Sequence, residues 1–162
     1  YNINQVYLGG VHTKMSKKSV IFLILSVLST AFIFSNSCRT AEVSSEQSGI
    51  IVDIISQFTS CDTGILTTVI RKLAHMFEFF LQAVAVCLFI DSLGKLPEYT
   101  VYALFTGLLT ACTDEFLQLF FDGRGSMVSD VFIDFSGTIT GVILYFIINS
   151  IIKKLRTKKK LP

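Results

Sequence analysis

Charge is scarce in this sequence. Asp, Glu, Lys and Arg make up 16% of its 162 residues, where a soluble domain carries about 25%. Proline occurs twice and tryptophan not at all, against fifteen phenylalanines and 51% hydrophobic residues. That balance excludes a disordered chain and a charge-rich coiled coil. Four cysteines in a chain of this length do not make a disulfide-rich miniprotein. They form no CxxC or Cys/His pattern that would hold zinc. The length allows one domain with a tail, not two.

The apolar residues fall in blocks. Val20 to Phe34 carries no charge, and Ser35 to Ser37 extend the run. Phe79 to Ile90 is uncharged and reaches back to Val69, broken only by Arg71, Lys72, His75 and Glu78. Tyr99 to Ala111 continues to Phe121 through Asp114, Glu115 and Gln118, and Val131 to Ile152 holds the single charge of Asp134. A helix of roughly 20 residues crosses the hydrocarbon core, so every block can span. A soluble helical core would need polar faces at period 3.6, which the first and last blocks lack. The expected class is all-α: a polytopic membrane protein with a four-transmembrane-helix bundle over 19–152. The first block is read as a retained signal anchor.

Cations set the expected orientation. Lys14, Lys17 and Lys18 precede the first block, Lys95 lies between the second and third, and Lys153, Lys154, Arg156, Lys158, Lys159 and Lys160 follow the fourth. The positive-inside rule places these segments in the cytoplasm. The 1–18 segment, the 91–98 turn and the basic 153–162 tail then face inward, and loops 38–68 and 121–129 face outward. The tail is read as a topology anchor touching anionic lipid, and no nucleic-acid partner is expected. Met15-Ser16-Lys17-Lys18 before the first block resembles a start, which would make 1–14 a leader or a misassigned start. Cys38 and Cys61 share the outward loop, where a disulfide can form. Cys87 and Cys112 lie in apolar helices as small hydrophobes. Ile51, Ile54, Ile55 and Phe58 share one face of a short helix that either lies on the outer membrane surface or packs on the bundle.

Polar residues inside membrane helices are costly, so their placement is informative. Arg71, His75, Glu78 and Gln82 form one stripe at helical spacing. Asp114 and Gln118 share a face with Ala111 and Phe121, Glu115 is turned about 100° away, and Asp130, Asp134, Gly137 and Gly141 follow another stripe. With helices alternating in direction, all these groups fall in one layer at the outer end. Arg124 sits in the adjoining turn between Gly123 and Gly125. The Gly137-x-x-x-Gly141 pair, Gly107 and Ala111 are packing features.

The ordered run Arg71-Lys72-x-x-His75-x-x-Glu78-Phe79, Asp114-Glu115-x-x-Gln118-x-Phe120, Gly123-Arg124 and Asp130-x-x-x-Asp134-x-x-Gly137 resembles the VanZ-like family of small bacterial membrane proteins. The resemblance covers about Val69 to Gly141. The one departure is Asp134, where Asn is expected at least as often. The resemblance implies a plasma-membrane protein associated with resistance to the glycopeptide teicoplanin, and supplies no reaction.

The expected site therefore comprises Arg71, Lys72, His75, Glu78, Asp114, Glu115, Gln118, Arg124, Asp130 and Asp134. Arg71, Lys72 and Arg124 suit an anionic head group. His75, Glu78, Asp114 and Gln118 would line the pocket, with Asp130 and Asp134 orienting the cations or the histidine. The partners expected are the bilayer and an anionic lipid-linked envelope precursor or a lipoglycopeptide. Two alternatives stay open: a membrane enzyme using His/carboxylate acid–base chemistry on a lipid carrier, and an assembly protein whose polar groups form an interhelical lattice. No serine or cysteine nucleophile motif marks an enzyme. Carboxylates and imidazole suit a divalent cation, but the H-x-x-E spacing is weak. No metal is assigned, and the cofactor is left unknown.

Overall fold

Short polar side chains start three of the helices. In the computed structural model, which describes residues 5–8, 11–59 and 62–158, the Ser16 hydroxyl accepts the Ser19 N–H at 3.1 Å and opens α1 (Lys17–Ser37). Thr40 caps α2 (Ala41–Ser56) by accepting from Val43. Asp62 caps α3 (Thr63–Ser92) by accepting from Gly64 and Ile65. Each satisfies a backbone donor that the first helical turn leaves free. Gly94, at φ 68°, ends α3 in the left-handed conformation that glycine adopts without strain. Helices α4 (Thr100–Gln118) and α5 (Val128–Lys158) follow. Ahead of α1, strands β1 (Gln5–Leu8) and β2 (Val11–Lys14) pair antiparallel, with Gln5 opposite Lys14, in a segment where the sequence shows no strong pattern.

The structure redraws several boundaries. The 38–68 loop holds a helix of its own and the first turn of α3, which starts at Thr63 rather than near Val69. The described part of the basic tail continues α5 to Lys158, because lysine and arginine are good helix formers and no glycine or proline lies between Ile152 and Lys158. Cys38, Cys87 and Cys112 form no disulfide among the described residues. Cys61 lies outside the described residues, so the Cys38–Cys61 pairing does too.

The apolar and polar residues are distributed as in a membrane protein. Ile21, Ile24, Val27, Leu28 and Phe32 of α1, Phe105 and Leu109 of α4, and Ile143, Ile147 and Ile151 of α5 are all exposed. Gln82, Thr110, Asp114, Glu115, Asp134 and Thr138 are buried. Water would not tolerate so continuous an apolar surface; hydrocarbon does. Helices α1, α3 and α5 are long and apolar enough to cross a membrane. Helix α4, the third of the four expected spans, does not reach that apolarity, since Asp114, Glu115, Gln118 and four threonines (100, 106, 110, 113) dilute it. Its 19 residues rise about 28 Å. Its buried positions (Ala103, Gly107, Thr110, Ala111, Asp114, Glu115 and Gln118) form one stripe, so the polar groups point inward.

Helix α3 is the axis of the bundle and packs against α1, α2, α4 and α5. Close approach to α5 depends on two glycines. A Cβ at Gly137 would fall on the Met76 carbonyl oxygen, and one at Gly141 would lie 2.6 Å from the Phe80 carbonyl oxygen. Gly107 likewise admits Thr138 between α4 and α5. One apolar cluster joins Ile33, Phe79 and Ala111, and a second joins Ala83, Cys87, Ile90, Ala103 and Val142. Between them the Gln82 amide donates to Thr30 at 2.7 Å and Thr110 at 3.0 Å, tying α3 to α1 and α4. Such polar ties substitute for the hydrophobic drive that is absent between helices in lipid.

Candidate functional site

The chain direction collects the polar groups at one end. The start of α1 lies against the end of α3, with the Ser19 hydroxyl 3.4 Å from the Ser92 carbonyl, so this end carries Lys17, Lys18, Lys95 and the basic end of α5. Counting at 1.5 Å per residue from Ser92, Thr100, Ile152 and Lys17 at this end, Glu78 and Asp114 each lie about 21 Å away, Asp134 about 27 Å and Ser37 about 30 Å. All ten residues proposed from the sequence stand in that far layer or in the turn above it. Helix α2 roofs part of it: Ser44, Ser48 and Val52 face the bundle, while Ile50, Ile54 and the following Phe58 point outward at 73%, 55% and 85% exposure. Of the two placements read from the sequence, the structure shows packing on the bundle, through the serine face, and leaves the isoleucine face free.

The contacts are specific. Lys72 Nζ meets Asp130 Oδ1 at 2.5 Å, and the Ser129 hydroxyl also reaches that oxygen. Asp114 accepts from the Ser37 hydroxyl through Oδ1 and from Gln118 Nε2 at 2.8 Å through Oδ2. The Met127 N–H donates to Glu115 Oε2 at 2.8 Å. Asn36 Nδ2 donates to Glu78 Oε1 at 2.8 Å. The other Glu78 oxygen, 3.9 Å from His75 Nδ1, has no hydrogen-bond partner among the described residues, and neither does that nitrogen. Asp134, 3% exposed, pairs with neither Arg124 nor any other described cation. Arg71 makes no hydrogen bond or ion pair among the described residues.

The α4–α5 turn holds Arg124 over this layer. Gly123 takes φ 74° and sits against Ala41, and the Ala41 N–H donates to the Asp122 carbonyl at 3.3 Å. Arg124 Nη2 then donates to the Asn36 carbonyl at 3.3 Å, while its Nε is buried without a partner among the described residues. Burial, and next the Arg71 charge, lower the Arg124 pKa; Asp114, Glu115 and Glu78 oppose them. An arginine stays protonated through shifts of this kind, so the turn delivers a fixed, partly desolvated cation.

Two cavities flank Arg71 and His75. One, of about 20 Å³, is lined by Lys72, Glu115, Gln118, Arg124, Asp130 and Asp134 as well. The other, of about 140 Å³, lies under α2 between Asn36, Ser44, Ser48, Ile70 and Glu78. The first has room for about one water, and the second for several. This arrangement can bind an anion through Arg71 and Arg124 or a cation through the carboxylates. Sequence reasoning missed Asn36 and Ser37, taken there only as the end of an apolar block, and the Met127 amide. The available signal was the adjacency of Asn36 and Ser37 at the outer end of a span.

Comparison with curated proteins and with solved structures finds no match to the chain. A protein-family model, VanZ/LLP1, matches residues 22–149. The match is wider than the motif run from Val69 to Gly141. It starts inside α1 and takes in α2, in keeping with the part Asn36 and Ser37 play in the polar layer. With far more than half its length matched, and the apolar spans and ordered polar motifs inside the matched region, the chain belongs to the VanZ/LLP1 family.

Proposed function

We propose that this protein is a four-span protein of the bacterial plasma membrane, with α4 as the additional span and both termini cytoplasmic. Its polar layer lies at the outer surface and binds the anionic head group of a lipid-linked envelope component, and so contributes to resistance against the glycopeptide teicoplanin. The observation that carries the binding reading is Arg71: a half-buried guanidinium without a partner among the described residues, lining both cavities and sharing the smaller one with Arg124. Guanidinium groups match phosphate geometry. The exposed Ile50, Ile54 and Phe58 of the α2 segment would sit in the head-group region, giving a lipid-borne ligand a route to the 140 Å³ cavity from the membrane side. The link to resistance rests on the family.

The direct test is retention of a radiolabelled polyprenyl-phosphate-linked wall precursor by the purified protein in nanodiscs. Retention above that of protein-free nanodiscs is expected; its absence would overturn the reading. Conversion of the precursor in the same assay would replace binding by catalysis.

Orientation is tested with the native thiols. A membrane-impermeant maleimide should label the exposed Cys38 on intact cells after mild reduction. Cys87, buried in the bundle, and Cys112, in the apolar part of α4, should stay unlabelled. Labelling of Cys38 only after the cells are opened would put the polar layer on the cytoplasmic side.

A further inference from the structure

We propose a divalent-cation site between α4 and α5, formed by Asp114, Glu115 and Asp134, that takes a hard ion of the Ca²⁺ or Mg²⁺ type. One carboxylate oxygen from each residue lies within 4.8 Å of the others. Ligand oxygens at about 2.4 Å around one ion span a shell about 4.8 Å across, so the three can share an ion with little movement. All three side chains are buried, at 0%, 3% and 3% exposure. No cationic side chain stands within 4.0 Å of any of them among the described residues.

The second observation is Asp134 itself. It is 97% buried and directed at the other two carboxylates. Among the described residues no hydrogen bond or ion pair reaches either of its oxygens, although a buried carboxylate ordinarily has a partner. Asp114 and Glu115, by contrast, are held by Ser37, Gln118 and the Met127 amide, as supporting groups orient metal-ligating carboxylates. These bonds leave lone pairs free, since each carboxylate offers about four. The adjoining cavity of about 20 Å³ has room for about one water, which would add a ligand. All-oxygen donors select a hard cation over zinc or copper. The ion would bind α4 to α5 at the layer where their carboxylates otherwise repel one another.

This inference goes beyond the head-group reading and is tested without any lipid ligand. Mn²⁺ is titrated into the purified full-length protein in detergent, and free Mn²⁺ is followed by electron paramagnetic resonance. Saturable binding at a single site per chain, competed by Ca²⁺ or Mg²⁺, is expected. Asp134→Asn and Glu115→Gln should each weaken it by about tenfold or more, and Asp53→Asn on the exposed face of α2 should leave it unchanged. Wild-type thermal unfolding supplies a readout that needs no variant to fold: the midpoint should rise with Mn²⁺. No saturable binding, an unshifted wild-type midpoint, or binding that survives both substitutions in folded protein would overturn the site.

Discussion

Gly137→Leu should prevent the folded protein from accumulating in the membrane, the largest effect expected of any single substitution in the bundle. Any Cβ at this position overlaps the Met76 carbonyl oxygen. That atom belongs to the α3 backbone, so it cannot swing aside as a flexible side chain would. Helices α3 and α5 must separate, and the contact between Lys72 and Asp130 is lost with them. Overpacking in a core costs typically about 1–3 kcal/mol and occasionally more. In lipid the penalty is felt in full, because close backbone packing is a main source of helix association. Gly49→Leu is the matched control, since a Cβ there meets nothing within 4 Å. Membrane abundance and thermal stability in detergent should collapse for the first variant and stay near wild type for the second.

Arg71→Gln and Lys72→Gln should behave oppositely, although the residues are neighbours. Among the described residues Arg71 has no partner to strand, so the protein should accumulate normally while precursor retention drops. A hydrogen bond to a charged group is worth about 1.5–3 kcal/mol, which corresponds to a loss of roughly tenfold to a hundredfold in affinity. Lys72 holds Asp130, with side-chain exposures of 27% and 20%. Removing one member of a fully buried pair costs about 3–5 kcal/mol, and partial exposure to water reduces the expected loss of stability to about 1–2 kcal/mol. Abundance should therefore fall for Lys72→Gln before any question of ligand arises. Equal behaviour of the two variants, in abundance and retention alike, would remove the distinction between a ligand-facing and a structural cation.

The spans and their polar stripes were legible because lipid imposes a one-dimensional rule: a helix that crosses hydrocarbon must be apolar over about 20 residues, and exceptions stand out. Arg71, His75, Glu78 and Gln82 could be assigned to one face, and alternating helix direction sufficed to put them level with Asp114 and Asp134. Contacts across helices were not legible. Sequence spacing pairs Asp134 with Arg124 as readily as Asp130 with Lys72, and only the α3–α5 packing through Gly137 decides for the second. The part of Asn36 and Ser37 was hidden because a serine or asparagine near a span end is ordinary, and its partner lies on another helix. The three carboxylates Asp114, Glu115 and Asp134 were legible as candidate cation ligands in one layer, but their mutual approach was not, since it joins two adjacent residues of α4 to one of α5. Helix α2 was legible as an amphipathic segment, but its direction was not: the isoleucine face that would be buried in water is the one left outward here.

The central claim is that the polar layer exists for a ligand and is not a packing lattice. Glu78→Gln and Asp114→Asn test it most directly, because both keep shape and hydrogen-bonding capacity while removing a charge. At Glu78 the new amide would face the unpartnered His75 Nδ1, and Oε1 would still accept from Asn36. At Asp114 the oxygen that accepts from Ser37 remains, and the Gln118 amide can turn to meet the new NH₂. The cost of a charge in the membrane is also lifted, about 2.5–3.5 kcal/mol at helix centre and less toward the interface. Membrane abundance and teicoplanin survival should be measured side by side in cells expressing each variant. The account predicts abundance at or above wild type with resistance lost; abundance and resistance falling in parallel, or resistance intact, would contradict it.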